Sequence, residues 1–163
     1  MNLAGHPWSN YACDTWSSPL YQCPNVGADI ELCQASGRLV LMSLGGGIGD
    51  YQLNSAAEAR EFAHTLWHMF LGGTGRPDIP RPFGSVIMDG IDLDIEKDPG
   101  FQYYSVLADT LRELMYQDPQ NLYVISATPQ CPFPSPALGP LPNHVLEDSA
   151  IDFVNIQFYN NPE

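Results

Sequence analysis

Basic residues are scarce in this sequence, which limits the partners that it can have. Its 163 residues include 6 Lys and Arg against 19 Asp and Glu, which gives a formal net charge of −13. A field of this sign repels the phosphate backbone of nucleic acids and anionic membrane surfaces. The sequence also lacks an apolar run of the roughly 20 residues that a membrane-spanning helix needs. We therefore expect neither nucleic acid nor a membrane as a partner.

The common metal-binding motifs are missing as well. The cysteines show no C-x-x-C spacing, which argues against a structural zinc site. Disulfides in a secreted protein are favoured over buried free thiols. His64 and His68 lie four residues apart but outside any H-E-x-x-H motif, and we expect them on the surface of a helix. Lys97 occupies the position where an EF-hand calcium loop needs glycine. We expect no cofactor and no metal.

Glycines are concentrated in residues 43–49, SLGGGIG, but not in a phosphate-binding pattern. Neither G-x-G-x-x-G nor a following G-K-[ST] is present, and the acidic surroundings oppose a phosphate ligand. We expect these glycines to let the backbone pass close to a neighbouring element or a neutral ligand.

Strand and helix patterns alternate along the chain, and a hydrophobic content of 44% is sufficient for the core of one domain. Strands are predicted at 2–5, 38–44, 86–96, 122–128 and 151–161, with 38–44 buried on both faces and a surface loop at 6–27. Helices are predicted at 28–36, at 101–116, at 143–149 and from the S-x-x-E capping box at 55–58 to the glycines at 72 and 73. The helix that opens at the capping box has an apolar face formed by Ala59, Phe62, Ala63, Leu66, Trp67 and Phe70. The buried face predicted for the helix at 101–116 is formed by Tyr104, Leu107, Ala108, Leu111 and Met115. This order predicts an α/β fold of parallel βα units. Polar residues at the C-terminal ends of two strands favour a (β/α)8 barrel over an open doubly wound sheet.

The strand at 86–96, VIMDGIDLDIE, has two different faces. Alternation places isoleucine and leucine on one face. The other face carries a row of three carboxylates: Asp92, Asp94 and Glu96. Carboxylates two strand positions apart, about 6–7 Å, oppose each other's ionisation, so at least one should keep its proton to higher pH. A proton held in this way is what a general acid needs. A divalent-cation site and a purely structural acid cluster stay open as alternatives.

Several of these segments resemble one enzyme family. DGIDLDIE at 89–96 closely resembles the D-x-x-D-x-D-x-E signature of glycoside hydrolase family 18, the chitinases, and SLGGG at 43–47 resembles that family's S-x-G-G strand. NLAGH, PQCPFP and QFYNNP complete a set that is similar in order and spacing to the hevamine-type class III chitinases of plants and their fungal relatives. The resemblance covers nearly all 163 residues and implies that 1–163 form part of a family 18 catalytic domain with a TIM-barrel fold.

For catalysis, the resemblance implies an endo-chitinase that hydrolyses β-1,4 linkages of N-acetylglucosamine polymers. Glu96 would protonate the glycosidic oxygen, held neutral by Asp94 and by its own partial burial. The acetamido oxygen of the substrate would attack the anomeric carbon, which gives net retention without a second carboxylate. Asp94 would orient the acetamido N–H, and Tyr159 would hydrogen-bond the acetamido oxygen.

The resemblance also implies residues around these three. Asp92, Asp89 and Ser43 would support the row, although Asp89 falls on the other face of the strand and is expected to be structural. Substrate contacts are implied for six further residues: Gln157, Asn160, Gly45, Gly46, Ala127 and Gln130.

The same resemblance predicts an incomplete barrel, with strands equivalent to about the second to the sixth. In the family, cysteines at the positions of Cys33 and Cys131 pair with residues outside this chain, whereas Cys13 and Cys23 are able to pair with each other. We expect a secreted protein whose signal peptide was lost with the N-terminal segment, monomeric when complete, with chitin or chito-oligosaccharides as partner. The alternatives are an endo-β-N-acetylglucosaminidase and a catalytically inactive chitin-binding or chitinase-like protein.

Overall fold

A computed structural model of the chain describes residues 13–15, 21–48, 51–73, 76–97 and 100–161. The predicted strand at 2–5 lies outside the described residues. In chain order the elements are β1 (Asp14–Thr15), β2 (Tyr21–Gln22), α1 (Pro24–Ala35), β3 (Leu41–Gly45), α2 (Ala56–Phe70), β4 (Gly90–Asp94), α3 (Tyr103–Tyr116), β5 (Val124–Ala127), α4 (Val145–Asp148) and β6 (Phe153–Val154). In the described part of the chain, no helix is both long and apolar enough to cross a membrane.

Strands β3 to β6 form one parallel sheet in which each strand pairs with the next one along the chain. Doubly wound sheets reverse their strand order at a switch point, whereas a (β/α) barrel is wound in one direction. The order of these four strands is that of part of an α/β barrel, which confirms the predicted fold class. The register aligns Ser43, Asp92 and Ser126 across three strands.

Helix α2 packs against α3, and the buried residues of both belong to the same hydrophobic core as Ile91, Leu93 and Ile125 of the sheet. The N-terminus of α2 is the predicted capping box, because the Ser55 side chain accepts a hydrogen bond from the Glu58 N–H at 3.1 Å. Glu58 itself accepts from the backbone N–H of Asn54 at 2.7 Å. The predicted apolar face is buried except for Phe62, which is 37% exposed. The predicted buried face of α3 is likewise buried.

The observed elements differ from the predicted ones mainly at their ends. Helix α1 begins at Pro24, inside the predicted loop, because proline at the first helical position loses no hydrogen bond. Residues 86–88 lie outside the ladder of β4, although Val86 and Met88 are buried. The prediction that 38–44 is buried on both faces is wrong, since Ser43 is exposed and Leu44 only half-buried. Strand β6 has two residues where eleven were predicted as extended.

The cysteines divide into one pair and two free thiols. Cys13 and Cys23 form a disulfide that joins the hairpin of β1 and β2 to the start of α1, as the sequence allowed. Cys33 and Cys131 are free and exposed.

Candidate active site

The carboxylate row lies at the C-terminal end of the sheet, on the face opposite the core. Ile91 and Leu93 of β4 are 0% exposed beneath the helices, and Asp92 and Asp94 alternate with them. Glu96 follows two residues after the strand ends. The alternation predicted from the sequence is therefore correct, and all three carboxylates are half-buried.

Asp92 is fixed by hydroxyl groups from both neighbouring strands. The Ser43 hydroxyl of β3 donates to one carboxylate oxygen at 2.8 Å. The hydroxyls of Ser126 and Thr128 donate to the other at 2.6 Å and 2.9 Å. Asp92 thus accepts three hydrogen bonds, and its position in the sheet is determined from two sides.

Asp94 lies between the other two carboxylates of the row. The amide nitrogen of Gln157 donates to its Oδ1 at 2.9 Å and also to the carbonyl oxygen of Thr128 at 3.1 Å. Gln157 is only 4% exposed, which fixes this amide after β6. Burial, and then the charges of Glu96 and Asp92, raise the pKa of Asp94 from 3.8 to about 6. The expectation that one member of the row keeps its proton to higher pH is confirmed for Asp94.

Glu96 is held mainly through its backbone. Its N–H donates to the hydroxyl oxygen of Tyr51 at 3.0 Å. The amide of Gln130 reaches the carboxylate oxygen Oε2 at 3.3 Å, a long hydrogen bond. A methyl group added at Gly47 would lie 3.2 Å from the same oxygen, so the glycine turn directly adjoins the Glu96 carboxylate.

The glycine turn after β3 crosses close to the end of β4. Gly45 has a φ of +105°, and a Cβ there would collide with the carbonyl group of Asp94. The N–H of Gly46 donates to that carbonyl oxygen at 2.7 Å. The glycines therefore allow close passage of two strand ends, as expected from the sequence.

Three predicted site residues are not joined to the row by any hydrogen bond among the described residues. Tyr159 is 61% exposed. Asn160 follows it in the left-handed region at φ 54°. Asp89 instead accepts hydrogen bonds from the Gln34 side chain at 3.0 Å and the Val40 N–H at 2.7 Å, which is the structural role expected for it.

Ala127 requires a correction. It pairs with Leu93 in the ladder and is 0% exposed, so its side chain lies on the core face of the sheet. The implied contact of this side chain with substrate is wrong, because alternation in β5 directs Ser126 to the carboxylate face instead.

Three residues at the site were missed by the sequence reasoning: Tyr51, Ser126 and Thr128. The last two are separated by two positions in a predicted strand, which was a usable signal for a shared polar face. Tyr51 precedes α2 in an irregular segment, where no periodicity indicates the direction of a side chain.

Two further features bear on ligands. Within the described ranges, no group of three or more His, Cys, Asp and Glu side chains is arranged to hold a metal ion. A cavity of about 850 Å³ lies beside the strand ends, where Gly45, Tyr51, Phe62 and Tyr104 contribute to its lining, but no carboxylate of the row does.

Comparison with known sequences finds one family model and several similar chitinases. A sequence model of the family described as glycosyl hydrolases family 18 matches residues 8–162. Chitinase 2 of Candida albicans is 45% identical, over 99% of this chain and 27% of its own length. The endochitinase of Saccharomyces cerevisiae is 44% identical, over 96% of this chain and 26% of its own length. The acidic endochitinase of Cicer arietinum is 43% identical, over 100% of this chain and 48% of its own length. The chain spans between about a quarter and a half of these relatives.

Solved structures with the same fold include an enzyme and an inhibitor. A chitinase from Ipomoea carnea superposes with a TM-score of 0.75 at 38% identity, over 86% of this chain and 48% of that one. The xylanase and α-amylase inhibitor protein XAIP-II from Scadoxus multiflorus superposes with a TM-score of 0.77 at 32% identity, over 92% and 54%. The fold alone therefore does not decide between hydrolysis and inhibition.

Proposed function

Because this chain belongs to the glycosyl hydrolases of family 18, we propose that residues 1–163 are part of the catalytic domain of an endo-chitinase. The reaction is hydrolysis of β-1,4 linkages in polymers of N-acetylglucosamine. One observation carries the proposal: Asp92, Asp94 and Glu96 form a half-buried row at the C-terminal end of a parallel sheet, the edge at which barrel enzymes act. The similarity to chitinases of fungi and plants supports the choice of substrate.

Glu96 is proposed as the proton donor. Its carboxyl group gives a proton to the glycosidic oxygen as the bond from that oxygen to the anomeric carbon breaks. In the second half of the reaction, the carboxylate removes a proton from water as the water attacks the same carbon. The carboxyl group is thereby restored, and the enzyme ends each cycle unchanged.

The nucleophile is the acetamido oxygen of the substrate, which attacks the anomeric carbon to give an oxazolinium ion. Asp94 is proposed to hold the acetamido N–H. Gln157 occupies Oδ1 of Asp94 and leaves Oδ2 without a hydrogen bond from the described residues. The negative charge of Asp94 also stabilises the positive charge that develops on the acetamido group.

Tyr159 and its neighbours are proposed to position the sugar. The exposed Tyr159 ring is available to a ligand, and its hydroxyl would donate to the acetamido oxygen. Gln130, Asn160, Gly45 and Gly46 are proposed to line the same face, with Gln157 acting through Asp94.

Turnover of a fluorogenic chitotriose tests the proposal. Wild type is compared with Glu96→Gln, and with Glu113→Gln, which removes an exposed carboxylate on α3. We expect Glu96→Gln to lower kcat by about 10²–10⁴-fold, the usual contribution of a general acid, and Glu113→Gln to match the wild type. If the chain cleaves N-glycans within their chitobiose core but does not turn over chitotriose, it is instead an endo-β-N-acetylglucosaminidase. Activity that survives in Glu96→Gln would rule out its role as proton donor.

A second candidate is a protein that binds its partner without hydrolysis. The similarity to the inhibitor XAIP-II favours it, since that protein shares the fold at 32% identity. Binding of chitotriose by the wild type without turnover would support this candidate, and turnover would exclude it.

The proposed place of action is outside the cell. The Cys13–Cys23 disulfide supports it, because disulfides persist in oxidising compartments. Release of the intact protein into the culture medium is the measurement that checks this.

A further inference from the structure

The backbone of Glu96 is not held by the sheet. Pairing of β3 with β4 ends at Gly45 and Asp94, and pairing of β4 with β5 ends at Leu93 and Ala127. Glu96 lies two residues beyond the last paired residue, so no strand accepts its N–H. The Tyr51 hydroxyl accepts it instead, at 3.0 Å.

The same hydroxyl joins Glu96 to the glycine turn. It donates to the carbonyl oxygen of Gly46 at 3.0 Å, and the Gly46 N–H donates to the carbonyl oxygen of Asp94 at 2.7 Å. An N–H only donates and a carbonyl only accepts, so the geometry leaves the hydroxyl a single arrangement of its proton. Tyr51 thus closes a ring of hydrogen bonds around the end of the carboxylate row.

Two features keep this hydroxyl in place as a donor. The ammonium group of Lys97 lies 5.3 Å from the centre of the Tyr51 ring, a cation–π contact. The pKa of Tyr51 is raised above its usual value, mainly by burial. The hydrogen bond from the Glu96 N–H lowers this pKa, whereas the negative charges of Glu96 and Asp94 raise it further. The hydroxyl therefore keeps its proton at neutral pH, and both hydrogen bonds persist.

We propose that Tyr51 is a positioning residue for Glu96, and that its hydroxyl fixes the Glu96 backbone against the glycine turn so that the carboxyl group meets the glycosidic oxygen. This inference rests on the chitinase function proposed above. A displacement of about 1 Å at a reacting group is able to cost about 100-fold in rate. Substrate binding depends less on this distance than proton transfer does, so kcat should change and KM should not.

The test is the variant Tyr51→Phe in the purified 163-residue chain. It keeps the ring beneath Lys97 and removes only the hydroxyl. We expect kcat for a fluorogenic chitotriose to fall by about 10–100-fold with KM within about 2-fold of the wild type. The matched control is Tyr123→Phe, which loses a hydroxyl bonded to Asp118 at 2.7 Å directly before β5, at the end of the strands away from the carboxylate row. We expect this control to keep the wild-type kcat.

Thermal melting separates positioning from stability. The inference is supported if the melting temperature falls by the same amount in both variants while kcat falls only in Tyr51→Phe. A kcat per folded molecule equal to wild type, or a Tyr51→Phe chain that does not fold, overturns it and makes the hydroxyl structural. Absence of turnover in the wild type overturns the proposed function itself, and the inference with it.

Discussion

Asp94 determines how the carboxylate row responds to pH, because it lies between two other carboxylates. Its folded pKa of about 6 exceeds the ordinary 3.8, so the folded chain binds this proton more tightly than the unfolded chain does. The stabilising contribution of this proton is complete below about pH 4 and is lost as the pH rises to about 6.

We predict that Asp94→Asn becomes progressively more stable relative to the wild type between pH 4 and pH 6, since asparagine has no proton to lose. Urea unfolding at several pH values measures the difference. Asp118→Asn serves as the control: hydrogen bonds from Asn121 and Tyr123 lower the pKa of Asp118 below 3.8, so its difference from wild type should change only below that pH. A constant difference for Asp94→Asn across this range would refute the assignment.

Thr128 is predicted to stabilise the chain through Asp92. Thr128→Val keeps the shape of the side chain and removes one of the three hydroxyl donors. Hydrogen bonds to charged groups contribute about 1.5–3 kcal/mol, so we expect the free energy of unfolding to fall by about that amount at pH 7. Thr110→Val removes a hydroxyl bonded only to the carbonyl oxygen of Val106 and should cost about 0.5–1.5 kcal/mol. Equal losses in the two variants would show that the Asp92 contact has no special weight.

At the scale of single residues, the sequence predicted on which face of β4 each side chain lies, because the alternation of a strand determines it. Alternation assigned Asp92 and Asp94 to one face and Leu93 to the other, because two positions per repeat leave no freedom in a paired strand. It could not predict Tyr51, whose hydroxyl spans from an irregular segment to a backbone N–H 45 residues away in sequence.

Among the elements, helices were predicted better than strands. The capping box of α2 and the apolar faces of α2 and α3 depend on residues within one element. The length of a strand depends on its partner, and β6 pairs with β5 through two residues only, with one further bridge between Gln130 and Gln157. Residues 151–161, predicted as one strand, therefore form a strand of only two residues.

The crossing of the glycine turn over β4 is predicted to be sensitive to a single methyl group. Gly37→Ala and Gly45→Ala both place alanine at positive φ, which costs about 1–2 kcal/mol. A Cβ at Gly37 meets nothing within 4 Å, whereas one at Gly45 meets the Asp94 carbonyl and should cost about 1–3 kcal/mol more. Urea unfolding of both variants measures the excess. If Gly45→Ala were no less stable than Gly37→Ala, the close passage of the two strand ends would be wrong.

For the whole molecule, strand order identified the barrel, because four parallel strands adjoin in chain order. The outward residues of β6 and its continuation are uncovered by the described helices: Val154, Ile156 and Phe158 are 45%, 48% and 78% exposed. Their exposure could not be predicted from the sequence, since burial depends on which element packs over a strand.

The anomeric configuration of the first product reveals whether this row hydrolyses N-acetylglucosamine polymers with help from the substrate's acetamido group. Proton NMR during the first minutes of chito-oligosaccharide hydrolysis distinguishes the two anomers before they interconvert. We expect the new reducing end to appear as the β-anomer, because two successive displacements at the anomeric carbon retain its configuration. Initial release of the α-anomer, or no hydrolysis by the folded chain, would rule out this mechanism for the carboxylate row.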